Sequence, residues 1–141
     1  MNPCASVVNP LLHFKNLKLD INDITGQIVD ASMKVHTHLG PGLLESAYEA
    51  CLACELRKRD LHVEIQKPLP VIYKEVHLNV GYRIDLLVER KVIVELKAVE
   101  RMIPLYEAQL LSYLKLSGNR IGLLINFNVP RLKEGIKRMA N

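Results

Sequence analysis

The sequence predicts an α/β protein in which a sheet is covered by helices. Three observations point to it. The first third carries apolar residues at helical spacing; the stretch after Asp60 changes to Val, Ile and Tyr broken by turn residues; and helix-forming and strand-like segments alternate again after residue 100. The expected order is helix, helix, a meander of strands, helix, strand, helix.

Residues 1–20 have mixed polarity and no clear period, so they are expected to form a loosely ordered lead-in. From Ile21, the residues Ile21, Ile24, Ile28, Ala31 and Val35 recur at spacings of three and four. That spacing predicts an amphipathic helix to about Leu39, stopped by Gly40-Pro41-Gly42. A second helix is expected from about Leu43 to Arg59, a stretch rich in Leu, Ala, Glu, Lys and Arg with no internal breaker. Turn-like interruptions at Lys67-Pro68, Lys74-Glu75, Asn79 to Gly81 and Glu89 to Lys91 divide the next segment into about four antiparallel strands. Pro104 suits the first turn of a third helix, where its missing N–H costs nothing, and Ser117-Gly118 ends it. Ile121 to Phe127 reads as a buried strand, and Arg131 to Ala140 as a closing basic helix. Residues 21–141 are thus expected to form one domain.

Composition narrows the class. With 141 residues, 49% of them hydrophobic and 24% charged, the chain can bury a real core and does not resemble a disordered tail. No apolar run approaches the ~20 residues of a membrane span, and Met1 to Phe14 lack the pattern of a secretory leader. A cytoplasmic location and no membrane partner are expected. Three cysteines, an odd number, argue for reduced thiols over a disulfide framework. Charge is uneven: residues 1–90 hold 10 basic and 11 acidic side chains, and residues 91–141 hold 9 and 4. The basic C-terminal part is compatible with a polyanionic partner and equally with a solvated basic face.

Chemistry concentrates on two strands. In Tyr82 to Val88, alternation places Ile84, Leu86 and Val88 on one face and Arg83, Asp85 and Leu87 on the other. In Lys91 to Ala98, Val92, Val94, Leu96 and Ala98 share a face, with Ile93, Glu95 and Lys97 opposite. Charges on so apolar a strand are costly unless paired or bound to a metal. A two-residue hairpin at Glu89-Arg90 would oppose Asp85 to Val94, whereas a three-residue loop Glu89-Arg90-Lys91 opposes Val88 to Val92 and Asp85 to Glu95. Only the second register matches the apolar faces. It brings two carboxylates together with Lys97 beside them, a set that suits one hard divalent cation and phosphodiester chemistry. A buried Asp85–Glu95–Lys97 ion network without catalysis satisfies the same pattern.

These residues also resemble a known family. Gly42-Leu43-Leu44-Glu45-Ser46-Ala47-Tyr48 reads as G-x-x-E-x-x-Y, Asp85 with Glu95-Leu96-Lys97 as D-(x9)-E-x-K, and Gln109 with Tyr113 as Q-x-x-x-Y. This ordered set, with the segments His36 to Gly42 and Leu123 to Phe127, is similar to the GxxExxY proteins of the PD-(D/E)XK nuclease superfamily and covers about Thr25 to Asn141. The resemblance implies a restriction-endonuclease-like core, a mixed central sheet flanked by helices. It implies Asp85 and Glu95 as metal ligands, the Leu96 carbonyl as a third, Glu45 as an accessory acidic ligand and Lys97 as the catalytic lysine. Gln109 and Tyr113 would position the substrate strand. Mg2+ or Mn2+ is the implied cofactor, nucleic acid, DNA in the first place, the partner, and a homodimer a form such small nucleases adopt. Ile84 replaces the proline of the superfamily's name-giving motif and removes no ligand. Restriction-like folds also host inactive binding modules.

Other residues have plainer readings. Cys51-Leu52-Ala53-Cys54 lies mid-helix without a second pair, so both cysteines are expected as small buried hydrophobes. His36 and His38, two apart, diverge by about 200° on a helix and are not expected to share a metal; His36 is expected to be structural, packing near Glu45, with a substrate contact as the alternative. Tyr106, Gln109 and Tyr113 lie along one helix stripe, where the tyrosines serve either the core or base stacking.

Overall fold

The computed structural model describes residues 19–141, so the lead-in expected over residues 1–20 lies almost wholly outside the described residues. Helices α1 (Ile21–Leu39) and α2 (Glu45–Lys58) precede strands β1 (Val63–Pro68), β2 (Val71–Tyr73), β3 (Val76–Leu78), β4 (Arg83–Val88) and β5 (Val92–Lys97). Helix α3 (Pro104–Ser117), strand β6 (Ile121–Asn126), a 3-10 turn (Leu132–Gly135) and strand β7 (Ile136–Ala140) follow. The main sheet has the order β1-β4-β5-β6-β7. Only β5 and β6 run parallel, joined across one face by α3; the other neighbours are antiparallel. This is a mixed sheet flanked by helices, consistent with a restriction-endonuclease-like core.

Two apolar layers hold it together. On one face Ile24, Ile28, Ala31 and Val35 of α1 and Tyr48, Leu52 and Leu56 of α2 pack on Leu86, Val88, Val92, Val94, Leu96, Leu123 and Ile125. On the other, Leu110, Tyr113 and Leu114 of α3 cover Ile84, Leu87, Ile93 and Leu124. Strand β5, with Val92, Val94 and Leu96 toward the first layer and Ile93 toward the second, is the central element. No helix among the described residues is long and apolar enough to cross a membrane.

The hairpin register agrees with the three-residue loop: Val88 pairs with Val92, Leu87 with Ile93 and Leu86 with Val94. Expectation and structure part at Ile84, which joins the α3 layer instead of sharing a face with Leu86 and Val88. Strand β1 is irregular at the same level. Its partners run Ile65 with Leu86 and Lys67 with Ile84, skipping Gln66, whose φ of 51° breaks the pleat opposite Asp85.

Two further expectations are corrected. Residues 131–140 are not one closing helix: after the 3-10 turn Leu132–Gly135, β7 pairs with β6, Ile121 to Ala140 through Ile125 to Ile136. Alternation explains it, since Ile136 and Arg138 face α1, where Arg138 donates to Asn22, while Lys137 and Met139 face α3, where Lys137 pairs with Glu107. The basic residues thus decorate an edge strand, where charge discourages further pairing. Nor are the two cysteines of α2 fully buried: Cys51 is an exposed free thiol and Cys54 is half-buried.

Gly135 is where the chain must turn into β7. A Cβ there would lie 2.3 Å from the Asn126 carbonyl oxygen. Gly135→Ala is therefore expected to lower stability by roughly 1–3 kcal/mol, whereas Gly26→Ala, on helix α1 with nothing within 4 Å of the added carbon, raises it by about 0.5–1 kcal/mol. Denaturant midpoints of the two variants measure both.

Candidate active site

The β4–β5 ladder stops at Leu86 and Val94. Continuing the register would place Ile84 opposite Leu96; instead, the two acidic side chains take over the backbone donors. The Leu96 N–H donates to Asp85 Oδ2 at 2.9 Å, and the Asp85 N–H donates to Glu95 Oε1 at 3.2 Å. Asp85 and Glu95 are thereby brought together at 8% and 4% exposure, each tied to the other's strand. Leu96 is fully buried, and its N–H, not its carbonyl, meets the Asp85 carboxylate.

Two carboxyl groups held so close and so dry cannot both carry charge cheaply. Burial first, and then the neighbouring Asp85 charge, push the Glu95 carboxyl up from its ordinary 4.5 to about 9, against the pull of its hydrogen bond from the Asp85 N–H and of Lys97. Glu45, half-buried at the first position of α2, is raised by burial and then by Asp85, with Lys97 opposing. These mutual influences bring Glu45, Asp85, Glu95 and Lys97 into one electrostatic neighbourhood.

The G-x-x-E-x-x-Y segment sets the position of Glu45. Gly40 and Gly42 adopt φ of 69° and 101°, conformations that glycine takes without strain. Tyr48, fully buried and stacked on Phe127 at 4.5 Å, donates from its hydroxyl to the Gly40 carbonyl at 2.6 Å and accepts from the Leu43 N–H at 3.1 Å. The tyrosine thus staples the loop that opens α2, less than one turn from Glu45.

Lys97 leaves the end of β5 half-buried, with Nζ 4.5 Å from the centre of the Tyr106 ring on α3. The Gln109 Nε2 donates to the Tyr113 hydroxyl at 3.1 Å. Tyr113 is buried in the α3 layer, and burial, then the charge of Glu95, raise its hydroxyl. So Tyr113 serves the core while its polar end looks toward the carboxylates. His36 has structural partners: Nε2 lies 2.8 Å from the Val129 carbonyl and its ring packs near Phe127.

Three residues of the neighbourhood escape the sequence motifs. Glu49 follows Glu45 by four residues, one helical turn, a spacing that alone would have nominated it. Gln66 bridges: its Nε2 donates to Glu49 Oε2 at 2.7 Å and to Asp85 Oδ1 at 3.0 Å. No sequence pattern marks it, because its role depends on the irregular φ that turns it inward. Asn126, buried opposite Lys97 in the parallel register, donates to the Val99 carbonyl and accepts from the N–H groups of Val99 and Asn128, fixing the chain just beyond Lys97.

Oxygen donors only, with a surplus of negative charge, fit a hard divalent cation such as Mg2+, which keeps several waters and needs one or two protein carboxylates. Asp85 and Glu95 would hold it. Among the described residues no group of three or more His, Cys, Asp or Glu side chains converges to hold a metal, so Glu45 and Glu49 stand outside a direct ligand set in this arrangement.

The family model described as PD-(D/E)XK nuclease superfamily matches residues 22–139. Neither the comparison with curated proteins nor that with solved structures gives a match.

The raised Glu95 carboxyl has a consequence for stability. Between pH 4.5 and about 9 the folded chain holds a proton there that the unfolded chain has lost, so metal-free stability falls as pH rises through that window. Glu95→Gln, uncharged and of the same shape, is expected to flatten that fall and raise the melting temperature at pH 8 by several degrees, where ~1 kcal/mol moves it by about 2–8 °C. Thermal melts in EDTA at pH 5 and pH 8 provide the check.

Proposed function

The chain belongs to the PD-(D/E)XK nuclease superfamily, and on that premise we propose that it is a divalent-metal-dependent nuclease hydrolysing phosphodiester bonds of nucleic acid, DNA in the first place, and that within the superfamily it is a GxxExxY protein. The observation that carries the reading is the reciprocal hydrogen bonding of Asp85 and Glu95 at the end of the β4–β5 ladder, one residue from Leu96 and two from Lys97. Nucleases of this superfamily typically depend on divalent metals. Asp85 and Glu95, with the Leu96 carbonyl, would hold Mg2+ or Mn2+, with Glu45 reaching it through water. Bound there, the ion would lower the pKa of a water and screen the phosphate charge.

The chain's own groups do the rest. Lys97, held against the Tyr106 ring, orients the attacking water and stabilises the negative charge that develops on the phosphate. Gln66 keeps the Asp85 carboxylate turned toward the Leu96 amide by holding its other oxygen. Gln109, half-buried and fixed by Tyr113, offers its amide to the substrate strand.

A second reading, a catalytically silent nucleic-acid-binding or protein-interaction module, draws on one observation: no three-membered metal-binding group is assembled among the described residues. Cleavage decides between them. Labelled single- and double-stranded DNA and RNA are incubated with Mg2+ or Mn2+ and either the wild type or Lys97→Ala. The nuclease reading expects metal-dependent cleavage that falls by about 10²- to 10⁴-fold in the variant; cleavage equal in both proteins, or in neither, contradicts it.

A further inference from the structure

Beyond β1 and β4 the chain extends as an arm. The Leu69 N–H donates to the Tyr82 carbonyl at 2.8 Å, prolonging the β1–β4 ladder, and β2 and β3 then pair as a separate two-stranded hairpin. The arm leaves the sheet at the end that carries Gln66 and Asp85. Its side chains are unlike an ordinary surface: Ile72, Tyr73, Val76, Leu78, Val80 and Tyr82 are all 41–62% exposed. Tyr73, Val76 and Leu78 share one face of the hairpin and Ile72 lies on the other; exposed large apolar groups of this kind mark a binding surface.

Tyr82 ties this surface to the site. Its ring, 47% exposed, lies 6.1 Å from the ring of Tyr113, whose hydroxyl accepts from Gln109. Further out, the Lys74 ammonium sits 5.3 Å over the 62% exposed Tyr73 ring. Charge decides what the arm can grip. From Pro70 to Tyr82 the only charged residues are Lys74 and Glu75, which cancel, so the arm offers no track of cations for a phosphate backbone, single or double. What it offers is ring faces and aliphatic surface, complementary to bases whose faces are open, and those occur in single strands and at frayed ends. Arg83, exposed at the foot of the arm, can meet a phosphate entering the site.

We propose that the β2–β3 arm binds unpaired nucleotides, with Tyr82 stacking on the base beside the phosphate presented to Asp85 and Glu95, so that the substrate is single-stranded nucleic acid or a single-stranded segment of a duplex. This rests on the reading of the site as one that acts on nucleic acid. It assigns Tyr82 a positioning role and the specificity for open strands to the arm.

The test is binding without turnover, followed by cleavage. The chain has no tryptophan, so Tyr82→Trp places a single indole at the stack. In EDTA, oligothymidylate is expected to quench that indole, and a blunt hairpin duplex to leave it unchanged. By fluorescence anisotropy, Tyr82→Ala weakens oligothymidylate binding about tenfold, and Tyr82→Phe restores it. Equal binding by wild type and Tyr82→Ala, tighter binding of the duplex, or no binding at all overturns the proposal. So does a dimer in light scattering that Leu78→Asp dissociates with oligothymidylate binding unchanged, since the arm then serves a second copy of the chain. Failure here is distinct from failure of the nuclease reading. Cleavage that depends on Lys97 but not on Tyr82 sinks only the arm; Tyr82-dependent binding without cleavage sinks only the chemistry.

Discussion

Two buried carboxyl groups, Asp85 and Glu95, occupy the place where a strand ladder would otherwise continue, and the rest of the molecule is arranged around that conflict. Each accepts a backbone N–H from the opposite strand, so the sheet stays satisfied while it opens. The electrostatic cost remains: burial and the neighbouring charge hold the Glu95 carboxyl far above its ordinary value. A fold built only for stability would fill this position with apolar side chains, as β5 does at Val92 and Val94. The retained strain is intelligible if a dication offsets it, and the same dication is what phosphodiester chemistry requires.

The surrounding elements serve this pair in separable ways. Gln66 leaves the regular β1 pleat to hold one oxygen of Asp85 and, through the same nitrogen, Glu49 of α2. Tyr48 fixes the glycine-containing loop that starts α2 and so sets the height of Glu45 above the sheet. On the far side, Asn126 pins the chain beyond β5, and Tyr106 receives the Lys97 ammonium. Tyr48 and Asn126 act through backbone atoms and a ring, interactions that persist whether or not a metal is bound.

Much of this was legible in the sequence. Period-two alternation on β4 and β5, with the demand that apolar faces match, selected the three-residue turn and so placed Asp85 with Glu95. Helical spacing found α1, and Pro104 with Gly118 bracketed α3. What failed did so for tertiary reasons. The C-terminal segment has a composition that suits a helix, yet the open edge of β6 recruits it as a strand, with its basic groups shared between two faces. Gln66 and Asn126 act through backbone irregularity and through hydrogen bonds to distant main chain, which neither periodicity nor a motif encodes. The exposure of Tyr82 could not be foreseen, because its place in the meander depends on β2 and β3 leaving the main sheet.

The central claim is that Asp85 and Glu95 jointly hold a divalent cation at the end of β5. Anomalous scattering from crystals soaked in Mn2+ tests it most directly. A single strong peak within coordination distance of an Asp85 oxygen and a Glu95 oxygen, lost in Asp85→Asn, is the result the account predicts. A peak elsewhere, or none at manganese concentrations that saturate the crystal, contradicts it.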